Sequence, residues 1–145
     1  MTKVISIHSF RGGTGKSNTT ANVASVLAAE GKKVAVIDTD IQSPGIHVLF
    51  RLGEDEVDKA LNDFLFGQCE ISDAAYDVTP RLETPVPGRL HLIPSSVKTS
   101  DITRVLRDGY DVGRLNEGLM AIGAQLDLDY LLIDTHPGLN EETLL

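Results

Sequence analysis

Short apolar runs alternate along the chain with longer stretches whose apolar residues recur at helical spacing. Residues 4–7 and 33–38 read as buried strands, with a helix over 18–30 between them that Gly31 closes. Residues 39–45 form a loop broken by Ser43, Pro44 and Gly45. Apolar positions Val57, Ala60, Leu61, Phe64 and Leu65 then predict a helix over 57–66 with one buried face. Residues 67–89, carrying Pro80, Pro85, Pro87 and Gly88, are the least regular segment and read as a surface excursion. A strand over 89–94, helices over 101–108 and 112–126, and a strand over 130–134 complete the pattern. Strands alternating with helices imply a mostly parallel sheet covered on both faces, with ligands received at the carboxyl ends of the strands.

That edge is where the polar chemistry collects. The first strand is followed by Arg11-Gly12-Gly13-Thr14-Gly15-Lys16-Ser17, leading into the helix that begins near Asn18. Glycines let a loop wrap its N–H groups around phosphate, a lysine spans the β- and γ-phosphates, and a serine hydroxyl ligates Mg²⁺. Phe10 occupies the place of the first glycine in the usual phosphate-binding loop, so the segment fits a deviant form, a basic residue followed by GGxGK[ST]. The strand 33–38 ends in Asp38, with Asp40 two residues beyond, and the strand 130–134 ends in Asp134. A carboxylate closing an apolar strand suits Mg²⁺, while Asp38 and Asp40 are placed to address one Mg²⁺–water–phosphate centre. Gly138 could offer its backbone N–H to a γ-phosphate.

Composition narrows the alternatives. With 145 residues and 41% apolar content, the chain supports one domain with a real core. Neither a spanning apolar stretch nor a signal-peptide pattern is visible, so a cytoplasmic location is expected. The single cysteine, Cys69, excludes an internal disulfide and argues against a thiolate metal cluster. Net charge is −8, and it is uneven: residues 1–53 hold six Lys/Arg against three Asp/Glu, the remainder seven against eighteen. Such an acidic second half does not suit a nonspecific nucleic-acid clamp. His8 and His136 fall near the phosphate edge but lack the further ligands of a zinc site, and His47 and His91 carry no interpretable context.

The chain strongly resembles the ParA/MinD family of deviant Walker A ATPases, through residues 11–17, through Val36-Ile37-Asp38-Thr39-Asp40 as switch I, and through Leu132-Ile133-Asp134-Thr135-His136-Pro137-Gly138 as Walker B and switch II. The resemblance implies a P-loop NTPase fold that binds ATP or ADP with Mg²⁺, forms an ATP-dependent homodimer, and hydrolyses ATP slowly to position or partition a cargo. Carried onto this sequence, the catalytic residues are Lys16, Asp40 and Arg11. The nucleotide is held by Arg11, Gly12, Gly13, Thr14, Gly15, Lys16, Ser17, Asn18 and Gly138, and the metal by Ser17, Asp38 and Asp134. Arg11 stands where the family carries a lysine that reaches the partner's nucleotide, and His136 where a small residue is common.

Family domains run to roughly 250 residues, so residues 1–145 are expected to be the N-terminal part of a single domain, ending soon after switch II. The family's next strand would lie beside the strand 4–7, which here would keep an exposed edge. The cargo, the activator protein, and the choice between a DNA and a membrane surface are not decided by this segment. A nucleotide-gated docking module with negligible hydrolysis is the second reading, and a related P-loop tyrosine kinase a third.

Overall fold

The computed structural model describes residues 1–8 and 15–135. Its strands are β1 (Lys3–Ile7), β2 (Lys33–Asp38), β3 (Tyr76–Asp77), β4 (Arg89–Ile93) and β5 (Tyr130–Asp134). They form one five-stranded sheet in the order β1-β5-β2-β4-β3, parallel except for β3, which pairs antiparallel with β4. The helices are α1 (Lys16–Ala29), α2 (Ile46–Leu49), α3 (Leu61–Leu65), α4 (Thr99–Asp108) and α5 (Val112–Gln125), joined by short 3-10 turns.

Side-chain alternation along the strands builds two cores, one on each face of the sheet. Val34 and Val36 of β2, Leu90 and Leu92 of β4, and Leu132 of β5 pack with Ala21, Ala24 and Ala28 of α1 and with Ile46. The intervening residues Ala35, Ile37, Ile93, Leu131 and Ile133 face the opposite way, against Leu61, Phe64, Leu115 and Ile122 of α3 and α5. Strands buried on both faces need near-continuous apolar sequence, which is why β2 and β5 read so clearly. The fold is therefore the expected α/β P-loop architecture, a mostly parallel sheet with helices on both faces.

Small residues on α1 allow close packing. Gly88 marks the tightest approach, because a Cβ there would lie 2.2 Å from the Lys32 carbonyl oxygen and 2.6 Å from that of Ala28. Its own N–H donates to the Ala28 carbonyl over 3.0 Å, which ties the entry of β4 to the end of α1.

Two expectations about the middle of the chain need correction. The helix anticipated over 57–66 is confined to Leu61–Leu65, since the backbone before it is engaged elsewhere. The Tyr76 hydroxyl accepts from the Lys59 N–H and donates to the Lys59 carbonyl, and the Asp63 carboxylate accepts from the Ala60 N–H, so the helix begins only after Ala60. The irregular segment 67–89 contributes β3 as an antiparallel extension of the sheet, rather than being loop alone.

At the other border β1 pairs only with β5 among the described residues, and Val4 and Ile5 are exposed, so the strand expected over 4–7 forms but is not buried as its apolar sequence suggested. No described helix is long and apolar enough to cross a membrane.

Candidate functional site

β1, β2 and β5 end side by side, with Ile7 opposite Asp134 and Asp38 also opposite Asp134 in the parallel register. This register brings residues distant in sequence to one edge. α1 starts there, immediately after Gly15, whose φ of 80° is a left-handed conformation that a side chain would strain. The Gly15 carbonyl accepts the Thr19 N–H over 2.8 Å. The helix thus begins two residues earlier than the sequence pattern suggested, and Lys16 and Ser17 belong to its first turn.

Asp134 is the hub of the site. Its Oδ1 is hydrogen-bonded and ion-paired to Lys16 Nζ, its Oδ2 accepts from Ser17 Oγ over 2.9 Å, and Thr20 Oγ1 lies 3.4 Å from Oδ1. Thr20 also donates to the Lys16 carbonyl, which lies one helical turn before it. Both Thr39 donors, N–H and hydroxyl, bond the Asp134 backbone carbonyl over 2.9 Å. Thr135 Oγ1 donates to the Ile7 carbonyl over 2.6 Å, binding the β5 end to the β1 end. Lys16 and Asp134 are both buried, so their charges compensate one another in a medium that screens poorly.

Asp38 lies across from this cluster, 1% exposed. Its Oδ1 accepts the Asp40 N–H over 3.0 Å and its Oδ2 the Gly45 N–H over 3.3 Å, while Ser95 Oγ donates to its backbone carbonyl over 2.6 Å. Burial, and then the neighbouring Asp134 carboxylate, push the Asp38 carboxyl up to about 7, against the opposing effect of the Asp40 N–H. Asp40 itself is half-buried at the start of the loop that Asp38 organises.

The raised pKa of Asp38 makes a prediction with a definite sign. Between about 4 and 7 the folded protein retains a proton on Asp38 that the unfolded chain releases, so this residue contributes a stability that declines as pH rises through that window. Asp38→Asn removes the titration and keeps one acceptor oxygen. Relative to the parent, the variant is expected to gain stability from pH 5 to pH 8, by about 3 kcal/mol at most. Urea unfolding of both proteins at the two pH values measures this, and a difference independent of pH would contradict it.

The structure places the sequence candidates unevenly. Lys16, Ser17, Asp38 and Asp134 share the edge, with Asp40 at its margin. Asn18 is exposed and lines a groove along α1 whose walls include Ser25, Arg51 and Arg81, and which does not include Lys16, Ser17 or Asp134. Arg11, Gly12, Gly13, Thr14, His136 and Gly138 lie outside the described residues. Thr20 and Ser95 were missed. Thr20 falls four residues after Lys16, the spacing that puts two side chains on one helix face, whereas nothing in the sequence ties Ser95 to Asp38.

Hydroxyl and carboxylate oxygens are the donors that Mg²⁺ prefers, and the repulsion between Asp38 and Asp134 is of the kind a divalent cation relieves. Among the described residues no group of three or more His, Cys, Asp or Glu is arranged to hold a metal. Magnesium held by Ser17, Asp38 and Asp134 would therefore depend on water and phosphate oxygens as well, as it commonly does beside nucleotides.

A family model described as an AAA domain matches residues 2–144. Over 145 residues the chain is 35% identical to an uncharacterized ATP-binding protein of Methanocaldococcus jannaschii, covering 100% of this chain and 48% of that protein. It is 34% identical to the chromosome partitioning protein ParA of Caulobacter vibrioides over 149 residues, 98% of this chain and 51% of the relative. The septum site-determining protein MinD of Pyrococcus horikoshii, solved with Mg-ADP, superposes with a TM-score of 0.77 at 28% identity, covering 97% of this chain and 51% of that one. The chain spans about half the length of the relatives it matches. With its phosphate-loop motif, its sheet order and its Lys16–Asp134 edge, the chain belongs to the ParA/MinD family of P-loop ATPases.

Proposed function

We propose that this protein is a Mg²⁺-dependent, ATP-binding and hydrolysing dimerisation switch of the ParA/MinD type, used to position or partition a cargo. The observation that carries the reading is the convergence of Lys16, Ser17 and Asp134 in one hydrogen-bonded cluster, with the Asp38 carboxyl beside it, where three parallel strands end. Lys16 supplies the cation for phosphate oxygens, Ser17 and Asp134 the oxygens for the metal, and Asp40 orients the attacking water. Magnesium held there would supply positive charge to the phosphate oxygens. The Mg-ADP held by the P. horikoshii MinD supports the choice of nucleotide and metal.

Arg11 gives the dimer its test. An arginine at the opening of the loop precedes Gly12 and Gly13, and its guanidinium can bind phosphate bidentately across an interface. Arg11→Ala is expected to weaken ATP-dependent self-association about tenfold, with a smaller effect on nucleotide binding by the monomer. Sedimentation with a non-hydrolysable ATP analogue reads both species, and equal dimer fractions for the arginine and alanine forms would contradict the proposal.

The same residue favours the second reading, a nucleotide-gated docking module. Arginine has a longer, planar head than the family's lysine, and that difference bears on hydrolysis coupled to dimerisation. Steady-state phosphate release separates the two, because only the switch reading requires turnover above the Asp40→Ala control. The partner, whether activator or cargo, and the surface on which the switch cycles belong to this proposal only as classes.

A further inference from the structure

Three side chains from the first two turns of α1 meet the Asp134 carboxylate, and they do not share it evenly. Lys16 Nζ is paired with Oδ1, Ser17 Oγ donates to Oδ2 over 2.9 Å, and Thr20 Oγ1 stands 3.4 Å from the same Oδ1 that Lys16 holds. Thr20 is 0% exposed, so its hydroxyl depends on partners inside the protein. A threonine hydroxyl has one proton to donate. Here that proton goes to the Lys16 carbonyl over 2.9 Å, while 3.4 Å exceeds the usual separation of an O–H···O bond.

Under the proposed function Lys16 turns to the phosphates and Ser17 to the metal, which takes both close donors from a carboxylate that is 1% exposed. Thr20 is the one of the three with no task toward the ligand. Giving up its present bond costs little, because a hydroxyl bond to the carbonyl four residues back adds little to a helix, and that carbonyl is already the acceptor for the N–H four residues on. A hydroxyl bond to a carboxylate is charge-assisted and roughly twice as strong as a neutral one, and a buried carboxylate oxygen left without a donor is costly. The Asp134 backbone is anchored separately, since its carbonyl accepts both Thr39 donors. The exchange therefore needs side-chain movement alone. Bringing Oγ1 from 3.4 Å to an ordinary hydrogen-bond length moves it by less than about 1 Å.

We propose that Thr20 is a positioning residue of this site, whose hydroxyl turns from the Lys16 carbonyl to Asp134 Oδ1 when Lys16 leaves that oxygen for a phosphate. Held at Oδ1, the carboxylate keeps Oδ2, the oxygen beside Ser17 Oγ, free for the metal. The consequence for Mg²⁺ rests on the function proposed above. The exchange at Oδ1 rests only on the placement of Lys16, Thr20 and Asp134.

The test has one arm without nucleotide and one with it. Thr20→Val keeps the branched shape and removes the hydroxyl, and urea unfolding compares its cost in the parent and in Lys16→Ala, where Oδ1 has already lost the lysine. The folding constant is expected to fall about twofold in the parent background and at least tenfold in Lys16→Ala, because only there does the hydroxyl serve Asp134. In the second arm, calorimetric titration with ATP is run with and without Mg²⁺ on the parent, Thr20→Val and Thr20→Ser. Valine should reduce the gain in affinity that Mg²⁺ brings by about tenfold and leave Mg²⁺-free affinity unchanged, and serine, which keeps the hydroxyl, should restore the gain. Equal costs of Thr20→Val in the two backgrounds would overturn the proposal, as would a Mg²⁺ effect undiminished in Thr20→Val or a loss that serine does not repair. If Lys16→Ala does not fold, the second arm decides alone. Failure of the functional reading itself would show in the parent, as ATP binding without a Mg²⁺ effect, and the unfolding comparison would still decide the exchange at Oδ1.

Discussion

Lys16→Ala is expected to lose Mg-ATP binding by at least ~100-fold and, in the same protein, about 3 kcal/mol of folding stability. The first loss follows from the role proposed for Lys16 as the cation that meets the phosphates. The second follows from the structure, because Lys16 is the charge partner of a carboxylate only 1% exposed. Removing one member of a buried pair leaves the other desolvated and uncompensated. The Lys16–Asp134 pair is why this substitution should not leave the fold undisturbed. A double variant separates the two effects. Lys16→Ala/Asp134→Asn leaves neither member of the pair charged, so stability should return most of the way toward the parent while nucleotide binding stays lost. Urea unfolding together with calorimetric titration of Mg-ATP reads both quantities, and a double variant no more stable than Lys16→Ala would show that the pair is not what destabilises it.

Asp40→Ala should behave in the opposite manner, binding Mg-ATP as the parent does while turnover falls ~10²- to 10⁴-fold. The loop beyond β2 is organised by the Asp38 carboxylate, which accepts the backbone N–H groups of Asp40 and Gly45. Those bonds use the Asp40 backbone N–H and not its side chain, so alanine keeps them. Phosphate release measured beside equilibrium nucleotide binding checks the split. Undiminished turnover would reduce Asp40 to a turn residue, and a parallel loss of binding would make it a structural one.

What was legible in the sequence has a physical cause. β2 and β5 are buried on both faces, so their apolar runs are nearly continuous and end sharply at Asp38 and Asp134. Lys16 and Ser17 follow glycines that only a backbone needing special conformations requires, and Gly15 does adopt a positive φ. The helix over 57–66 was misread because its periodicity is real but its first turn is not, the Lys59 and Ala60 backbone being claimed by Tyr76 and Asp63. β3 was hidden for a related reason: two residues are too few to show a period, and only pairing with β4 defines them. Nor does any local pattern announce that Lys16 and Ser17 both reach Asp134, more than a hundred residues away. That contact is set by the register of β1, β5 and β2.

The proposed function requires that this edge receive a magnesium-bound triphosphate. Isothermal titration of the protein with ATP, with and without Mg²⁺, measures it. Saturable one-to-one binding that Mg²⁺ tightens, and that Asp134→Asn weakens only when Mg²⁺ is present, is the predicted result. Nucleotide binding indifferent to both Mg²⁺ and Asp134, or no binding of ATP at all, would contradict it.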